Sequence, residues 1–190
     1  LEEEVRKQNE KYFTFWEKDR PFVALKMAIT LDGKIADTLG KSKWITDESS
    51  RVFVHKLRGE YDAILVGSGT VMRDDPELTP REVFSERMPL RVVISGEGNI
   101  AFSAKIFDTK VAPTLLITSS NPVVPEGVLV KRVSNINVSE ILEILKDFGV
   151  QSVLVEGGSK VFTMFLKSGL VDKIYVFLSP SVMGGGLEFF

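Results

Sequence analysis

The stretch that most constrains the fold is Val153-Leu154-Val155-Glu156-Gly157-Gly158-Ser159, which an apolar helical pattern follows. A short run of branched apolar residues is typical of a buried strand, and glycines let the backbone turn tightly and approach a ligand closely. The pattern therefore predicts a strand, a tight turn and then a helix that ends at Gly169. The residues of this helix predicted to pack inward are Val161, Phe162, Phe165 and Leu166.

The same motif predicts a candidate anion site. The first N–H groups of a helix have no partner within the helix and can bind a phosphate. Glu156 would lie at the carboxyl end of the strand, which is the edge where open α/β sheets bind their ligands. A glycine-rich connection in any α/β domain gives the same pattern, so other segments must support the site.

Composition excludes several classes of protein. The chain has 190 residues, of which 44% are hydrophobic and 26% charged, as in one soluble α/β domain. A net charge of −2 favours neither nucleic acid nor a membrane as partner. The absence of cysteine and the single histidine exclude disulfides, thiol catalysis and zinc sites built on two or more histidines. No apolar run is long enough to span a bilayer and no signal peptide is visible, so we expect a cytoplasmic protein.

Predicted strands alternate with predicted helices along the chain. Residues 1–19 are charged and predict a helical or linker segment ahead of a single domain over residues 20–190. The further predicted strands are Phe22–Ile29, Tyr61–Val66, Arg91–Ser95, Thr114–Thr118, Gly127–Val130 and Lys173–Leu178. Two more helices are predicted, one from an N-cap at Thr46 to about Glu60 and one from an N-cap at Ser139 to Gly149. This alternation predicts an α/β fold with a largely parallel sheet.

Lys26 is a charge inside an otherwise apolar strand. Alternation places Val23, Leu25 and Met27 on one face of the strand and Lys26 on the other. Two interpretations are open. The lysine belongs to an edge strand and its amine reaches water, or it is aimed into a cleft.

The helix that follows Thr46 carries two kinds of side chain. Phe53, Leu57 and Tyr61 recur every four residues and are expected to face the core. Three basic residues fall on another face of the helix, namely Arg51, His55 and Arg58. They form either a solvated basic stripe or a face from which Arg58 reaches a site.

Other segments offer groups for a ligand after strands. Gly67-Ser68-Gly69-Thr70 and Ser95-Gly96 each follow a predicted strand, and Arg81 lies in a loop where it is either solvated or paired with a phosphate. Trp44 either packs in the core or offers a flat surface to a ring. The chain shows no nucleophile–histidine pair, no cluster of metal ligands and no Walker lysine, so no metal site is predicted. Redox chemistry with a bound phosphorylated cofactor fits what remains.

Four segments, in order, carry a family resemblance. They are Arg20 to Ala36 (RPFVALKMAITLDGKIA), Ser42 to Thr46 (SKWIT), Ile64 to Arg81 (ILVGSGTVMRDDPELTPR) and Val155 to Val161 (VEGGSKV). They resemble the reductase domain of the bifunctional riboflavin-biosynthesis deaminase/reductase family. The resemblance implies a dihydrofolate-reductase-like fold with a mostly parallel central sheet flanked by helices. It also implies NADPH-dependent reduction of the ribosyl group of 5-amino-6-(5-phosphoribosylamino)uracil to ribityl.

The resemblance implies a role for each matching position. The substrate-binding positions are Ser42, Arg58, Leu78, Arg81 and Glu156, and the two arginines suit the phosphate of the substrate. The NADPH-binding positions are Ala28, Trp44, Thr70, Asp74, Ser95, Gly158, Ser159, Lys160, Val161, Phe162, Thr163 and Met164. Lys26 matches a lysine near the reacting sugar. Glu156 and Lys26 are the candidates for supplying or relaying a proton, because both are expected at strand ends facing one cleft.

The resemblance also sets expectations about partners. The usual upstream partner in the family is a zinc deaminase, whose His and Cys ligands this chain lacks, so residues 1–19 are expected to be the linker from that domain. The domain is expected to lack a final antiparallel hairpin after Gly184-Gly185-Gly186 and so to expose an edge strand. A homo-oligomer is expected by analogy. Two alternatives stay open, a reductase of the same fold acting on another pterin- or pyrimidine-like substrate, and a non-catalytic nucleotide-binding domain.

Overall fold

The computed structural model describes residues 1–40, 47–81, 83, 85, 87–97 and 100–189. The helices are α1 (Glu2–Gln8), α2 (Glu10–Glu17), α3 (Glu48–Glu60), α4 (Ser68–Asp74), α5 (Val138–Asp147) and α6 (Ser159–Ser168). The strands are β1 (Phe22–Thr30), β2 (Lys34–Ala36), β3 (Ala63–Gly67), β4 (Leu90–Ser95), β5 (Thr114–Thr118), β6 (Leu129–Arg132), β7 (Ser152–Gly157), β8 (Lys173–Ser179) and β9 (Leu187–Glu188). A short 3₁₀ turn covers Lys105–Phe107.

Seven strands form one parallel sheet in the order β6-β5-β4-β3-β7-β1-β8. The short strands β2 and β9 pair antiparallel beside it. The predicted mostly parallel sheet flanked by helices is thereby confirmed. Because β7 lies between β3 and β1, the carboxyl ends of these three strands meet at one place on the sheet edge.

The core has two layers, one on each face of the sheet. On one face Val23, Leu25 and Val155 pack against α5 and α6, whose Ile141, Leu145, Phe162 and Phe165 are buried. On the other face Ala24, Ile64 and Leu154 pack with Leu57 and Tyr61 at the end of α3 and with Val71 of α4. Strands buried on both faces explain the near-continuous apolar runs in the sequence.

Two helix starts differ from the prediction. The cap of α3 is Asp47, whose side chain accepts a hydrogen bond from the Ser50 N–H at 2.9 Å, while the predicted cap, Thr46, lies outside the described residues. The cap of α5 is Asn137, which accepts from the Glu140 N–H at 2.9 Å, so the prediction of Ser139 was wrong. Asn and Ser cap equally well, and the earlier cap allows Val138 to be buried as the first helical residue.

The prediction that Phe53 faces the core was also wrong. Its side chain is 46% exposed and packs against the ring of Phe177, with 5.9 Å between the ring centroids. The buried residues of α3 are Val54, His55 and Leu57, so this helix is rotated relative to the predicted stripe. The strand predicted at Gly127–Val130 begins two residues later, at Leu129.

The segment ahead of β1 forms α1 and α2 and is joined to the domain by Asp172. The Arg20 guanidinium donates to both carboxylate oxygens of Asp172, at 2.6 and 2.8 Å, and the Val23 N–H donates to the same carboxylate at 3.0 Å. At the far side of the sheet, β8 exposes alternate apolar side chains. Among the described residues, no helix has both the length and the apolar character that crossing a membrane requires.

Candidate active site

A cavity of about 540 Å³ opens at the carboxyl ends of β1, β3 and β7. Open parallel sheets bind their ligands at this edge. The structure brings many of the predicted site residues together here, namely Lys26, Ala28, Arg58, Thr70, Asp74, Leu78, Glu156, Gly158 and Phe162. Segments that are far apart in the sequence therefore share one cleft.

Glu156 and Arg58 form a bidentate ion pair inside this cleft. Arg58 Nε donates to Glu156 Oε1 at 2.6 Å and Arg58 Nη2 donates to Oε2 at 2.9 Å. The side chains of Arg58 and Glu156 are only 13% and 6% exposed, respectively. The planar guanidinium matches the carboxylate, so the pair fixes the orientation of Glu156 as well as its charge.

Lys26 lies on the strand next to Glu156. Strands β1 and β7 pair through Leu25 and Val155, and Lys26 and Glu156 are the next residues of the two strands. Both project toward the face of the sheet that carries α3. The Lys26 Nζ lies 5.4 Å from the centroid of the Phe177 ring. Because β1 is an interior strand between β7 and β8, the interpretation of Lys26 as an edge lysine was wrong.

The charges of these groups are set by burial and by one another. Burial alone would raise the pKa of Glu156, but the Arg58 guanidinium outweighs it, Lys26 adds to the effect, and the pKa lies below its ordinary value. Burial lowers the pKa of Lys26, and Arg58 lowers it further, against the attraction of Glu156. The cleft therefore holds a firmly ionised carboxylate beside a lysine that releases its proton more readily than an exposed lysine.

The start of α6 offers a place for a phosphate. The helix begins at Ser159 behind Gly158, which has φ +81°, and no side chain caps its first N–H groups within the described part of the chain. A Cβ on Gly157 would lie 2.7 Å from Thr70 Oγ1, and one on Gly67 would lie 2.8 Å from Val161 Cγ2. Glycine at position 157 lets the Thr70 hydroxyl approach the helix start, and glycine at position 67 lets Val161 of α6 pack against the end of β3. The helix N–H groups and the Thr70 hydroxyl are two kinds of donor that suit a cofactor phosphate.

The remaining predicted residues lie around this centre. Ser159, Lys160, Thr163 and Met164 line a second cavity of about 640 Å³ with Gly186, Leu187 and Glu188. Val161 is buried in the core and Ser95 is buried at the end of β4. Arg81 is exposed and its Nη1 donates to Glu77 Oε2 at 3.2 Å. Ser42 and Trp44 lie outside the described residues.

Sequence reasoning missed other residues at this edge. Arg51 and Arg73 line the cavity and add positive charge to it. Arg51 was grouped with His55 and Arg58 as basic, but the hypothesis of a solvated stripe was wrong for His55 and Arg58, which turn inward. Within the described part of the chain, no three acidic or histidine side chains are grouped closely enough to hold a metal ion.

Comparisons with known proteins agree with this architecture. A family model described as the RibD C-terminal domain matches residues 21–190. The chain spans about half the length of the curated riboflavin biosynthesis proteins that it matches. The structure of a diaminohydroxyphosphoribosylaminopyrimidine deaminase/5-amino-6-(5-phosphoribosylamino)uracil reductase from Thermotoga maritima is 44% identical, with a TM-score of 0.90 over 100% of this chain and 53% of that one.

Two further structures extend the comparison. The riboflavin biosynthesis reductase of Saccharomyces cerevisiae is 25% identical, with a TM-score of 0.74 over 98% of this chain and 87% of that one. A dihydrofolate reductase from Enterococcus faecalis, in complex with NADP(H), is 19% identical, with a TM-score of 0.51 over 89% of this chain and 82% of that one. The second likeness is one of fold alone, and it confirms the predicted dihydrofolate-reductase-like architecture.

Proposed function

Because the chain belongs to the family of RibD C-terminal domains, we propose that it reduces the ribosyl group of 5-amino-6-(5-phosphoribosylamino)uracil to ribityl with NADPH. This step belongs to riboflavin biosynthesis. This chain covers most of the length of the similar yeast protein, which is named as a reductase. It covers only about half of the length of the bifunctional relatives. That difference in coverage favours the reductase over the deaminase as the activity of these residues.

The observation that carries the proposal is the cluster of Lys26, Glu156 and Arg58 next to the start of α6. Reduction at the sugar carbon needs an acid, a means of stabilising positive charge and a nearby place for a phosphorylated cofactor. The cluster supplies the first two, and the N–H groups of α6 with the Thr70 hydroxyl fit the third.

The chemistry assigns a different role to each residue. Opening of the ribosylamine gives an imine, and its reduction adds a hydride to the sugar C1 and a proton to the nitrogen. Bound NADPH supplies the hydride. Lys26 donates the proton, is left neutral and regains a proton from water. Glu156 stays ionised and stabilises the positive charge that develops on the protonated nitrogen, which it can do without reorganisation because Arg58 holds it in place.

The proposal extends to the cofactor and to partners. NADPH rather than NADH is the proposed reductant, and kcat/KM measured with each would test that preference. The substrate is a phosphorylated pyrimidine, and Arg58, Leu78 and Arg81 are the proposed groups for its phosphate. The Thermotoga maritima relative is named as a deaminase/reductase, which supports an upstream deaminase domain as a proposed partner of this chain. A cytoplasmic location, a zinc site in that deaminase and a homo-oligomeric state are further parts of the proposal.

The test follows NADPH oxidation by absorbance with 5-amino-6-(5-phosphoribosylamino)uracil and, as a matched comparison, with the dephosphorylated compound. We expect substrate-dependent oxidation that is much faster with the phosphorylated compound, and a loss of about 100-fold or more in kcat for Lys26→Met. Binding of NADPH without turnover of either compound would contradict the proposal and favour a nucleotide-binding module. Equal rates with both compounds would favour a reductase for another pyrimidine- or pterin-like substrate.

A further inference from the structure

The turn Glu77–Arg81 holds an apolar residue in an unusual backbone conformation at the wall of the cavity. Leu78 has φ +55°, its side chain is 2% exposed, and it contributes to the cavity lining beside Pro76. A bulky L-residue adopts this left-handed conformation only where its surroundings hold it there. An apolar side chain offers no hydrogen bond to a phosphate, so a polar contact between Leu78 and a phosphate would have to come from its backbone N–H.

The first residue that stabilises this turn is Arg91, which lies on β4 and is fully buried. Its Nη1 donates to the carbonyl oxygens of Glu77 and Lys105, both at 3.3 Å. Its Nη2 donates to those of Asp108 and Ala112, at 2.7 and 2.6 Å. A buried guanidinium bound by four carbonyl groups ties the residue just before Leu78 to the 3₁₀ turn and to the start of β5.

The second residue that stabilises this turn is His55, the buried histidine of α3. Its Nδ1 lies 3.1 Å from the Arg81 N–H, which donates to it, and 3.1 Å from the carbonyl oxygen of Thr79. The Arg81 N–H also lies 3.0 Å from the Thr79 carbonyl oxygen, and Arg58 Nη1 lies 3.5 Å from that oxygen. The far end of the turn is thus held against the same helix that carries Arg58.

We propose that His55 and Arg91 are positioning residues that preform the turn Glu77–Arg81 as the seat of the substrate's phosphate. The inference rests on the proposed function, because the phosphorylated substrate is part of it. Neither residue touches the substrate. Each acts by fixing the backbone from which the Leu78 N–H and the Arg81 side chain are presented, close to Arg58. A preformed site avoids the cost of ordering the turn when the ligand binds.

His55 allows a matched pair of variants. In His55→Asn the side-chain oxygen can replace Nδ1 as acceptor, whereas His55→Leu has a similar volume but no acceptor. We expect His55→Leu to weaken binding of ribose 5-phosphate, measured by calorimetry, about tenfold. The KM for the phosphorylated pyrimidine should rise by a similar factor, while kcat and the KM for NADPH stay within about twofold of the wild type. His55→Asn should recover most of the affinity.

Arg91→Lys gives a second arm, since a lysine cannot reach all four carbonyl groups. Arg91→Lys should also weaken the binding of ribose 5-phosphate without changing the affinity for NADPH. Should it fail to fold by circular dichroism, the His55 pair decides. The inference is overturned if the wild type does not bind ribose 5-phosphate, if His55→Leu and His55→Asn bind it equally, or if kcat and both KM values change in proportion.

The two proposals can fail separately. If the wild type binds ribose 5-phosphate but does not turn over the pyrimidine, the proposed function is wrong. The ratio of the dissociation constants of His55→Leu and His55→Asn for ribose 5-phosphate then tests the positioning role of His55 independently of turnover. A ratio of about tenfold supports the positioning role, and equal constants contradict it.

Discussion

Arg58 on α3 donates hydrogen bonds to both carboxylate oxygens of Glu156 on β7, at 2.6 and 2.9 Å. This contact joins a helix to the end of a central strand and does so inside the cleft. It keeps Glu156 ionised although burial opposes the charge. The proposed acid–base roles depend on this contact, because an ionised Glu156 would leave Lys26 as the proton donor.

Replacement of Glu156 should be costly for stability as well as activity. Glu156→Gln leaves the Arg58 guanidinium largely buried without a counter-charge, so we expect a loss of about 3–5 kcal/mol in the free energy of unfolding. Urea denaturation measures it. Glu188→Gln is the control, since the Glu188 side chain that pairs with Lys34 is 69% exposed, and a pair with a solvent-exposed carboxylate contributes no more than about 1 kcal/mol. Equal stability of Glu156→Gln and the wild type would show that the pair is not formed.

The rate of reduction should fall on the alkaline side because Lys26 must be protonated to act as the acid. Its pKa lies below the usual 10.5, so the fall should occur below that pH. Removing the negative charge of Glu156 removes the attraction that raises the pKa of Lys26. In Glu156→Gln the alkaline limb should therefore move to lower pH. A pH–rate profile measured at saturating NADPH tests this, and an unmoved limb would assign the acid to another group.

Two glycines offer a matched test of the cofactor region. A Cβ on Gly157 would lie 2.7 Å from Thr70 Oγ1, whereas one on Gly69 in α4 meets nothing within 4 Å. We expect Gly157→Ala to lose about 1–3 kcal/mol of stability by overpacking and to bind NADPH more weakly. Gly69→Ala should gain about 0.4–1 kcal/mol, because alanine restricts the unfolded chain. Thermal unfolding and NADPH titration of both variants check the pair, and identical behaviour would contradict the geometry of the turn.

Asp172 should be a stability determinant outside the cleft. Burial raises the pKa of Asp172, but its hydrogen bonds with Arg20 and the Val23 N–H outweigh this and place the pKa below 3.8. Its contribution is therefore present at neutral pH and is lost as the pH falls below that value. Asp172→Ala should cost about 3–5 kcal/mol at pH 7. Lys18→Ala removes only the half-exposed partner and should cost less than about 1 kcal/mol. If the difference in unfolding free energy between the wild type and Asp172→Ala does not change with pH, the stabilisation does not depend on the charge of Asp172.

The sequence predicted well what local chemistry determines. The strand that ends in Glu156, the glycine turn and the start of α6 were all predicted, since apolar runs and glycines act over a few residues. The start of α5 was not, because Asn137 and Ser139 are equally good caps and packing of Val138 decides between them.

Long-range features could not be predicted from local patterns. That Arg58 would bind Glu156 depends on β7 lying between β1 and β3, an order that no local pattern encodes. The burial of His55 and the exposure of Phe53 both follow from the rotation of α3 against the sheet, which only tertiary packing sets. The sequence thus predicted that Lys26 and Glu156 share one cleft, but not the ion pair between Arg58 and Glu156 or the place of Arg51 and Arg73 in the lining.

The most direct measurement follows the hydride itself. The chain would be incubated with 5-amino-6-(5-phosphoribosylamino)uracil and NADPH carrying deuterium at the transferable position of the nicotinamide, and the product examined by NMR. One deuterium is expected on C1 of the new ribityl group. Deuterium on the pyrimidine ring, or oxidation of NADPH without deuterium in the product, would contradict the assignment of this cleft to reduction of the ribosyl group.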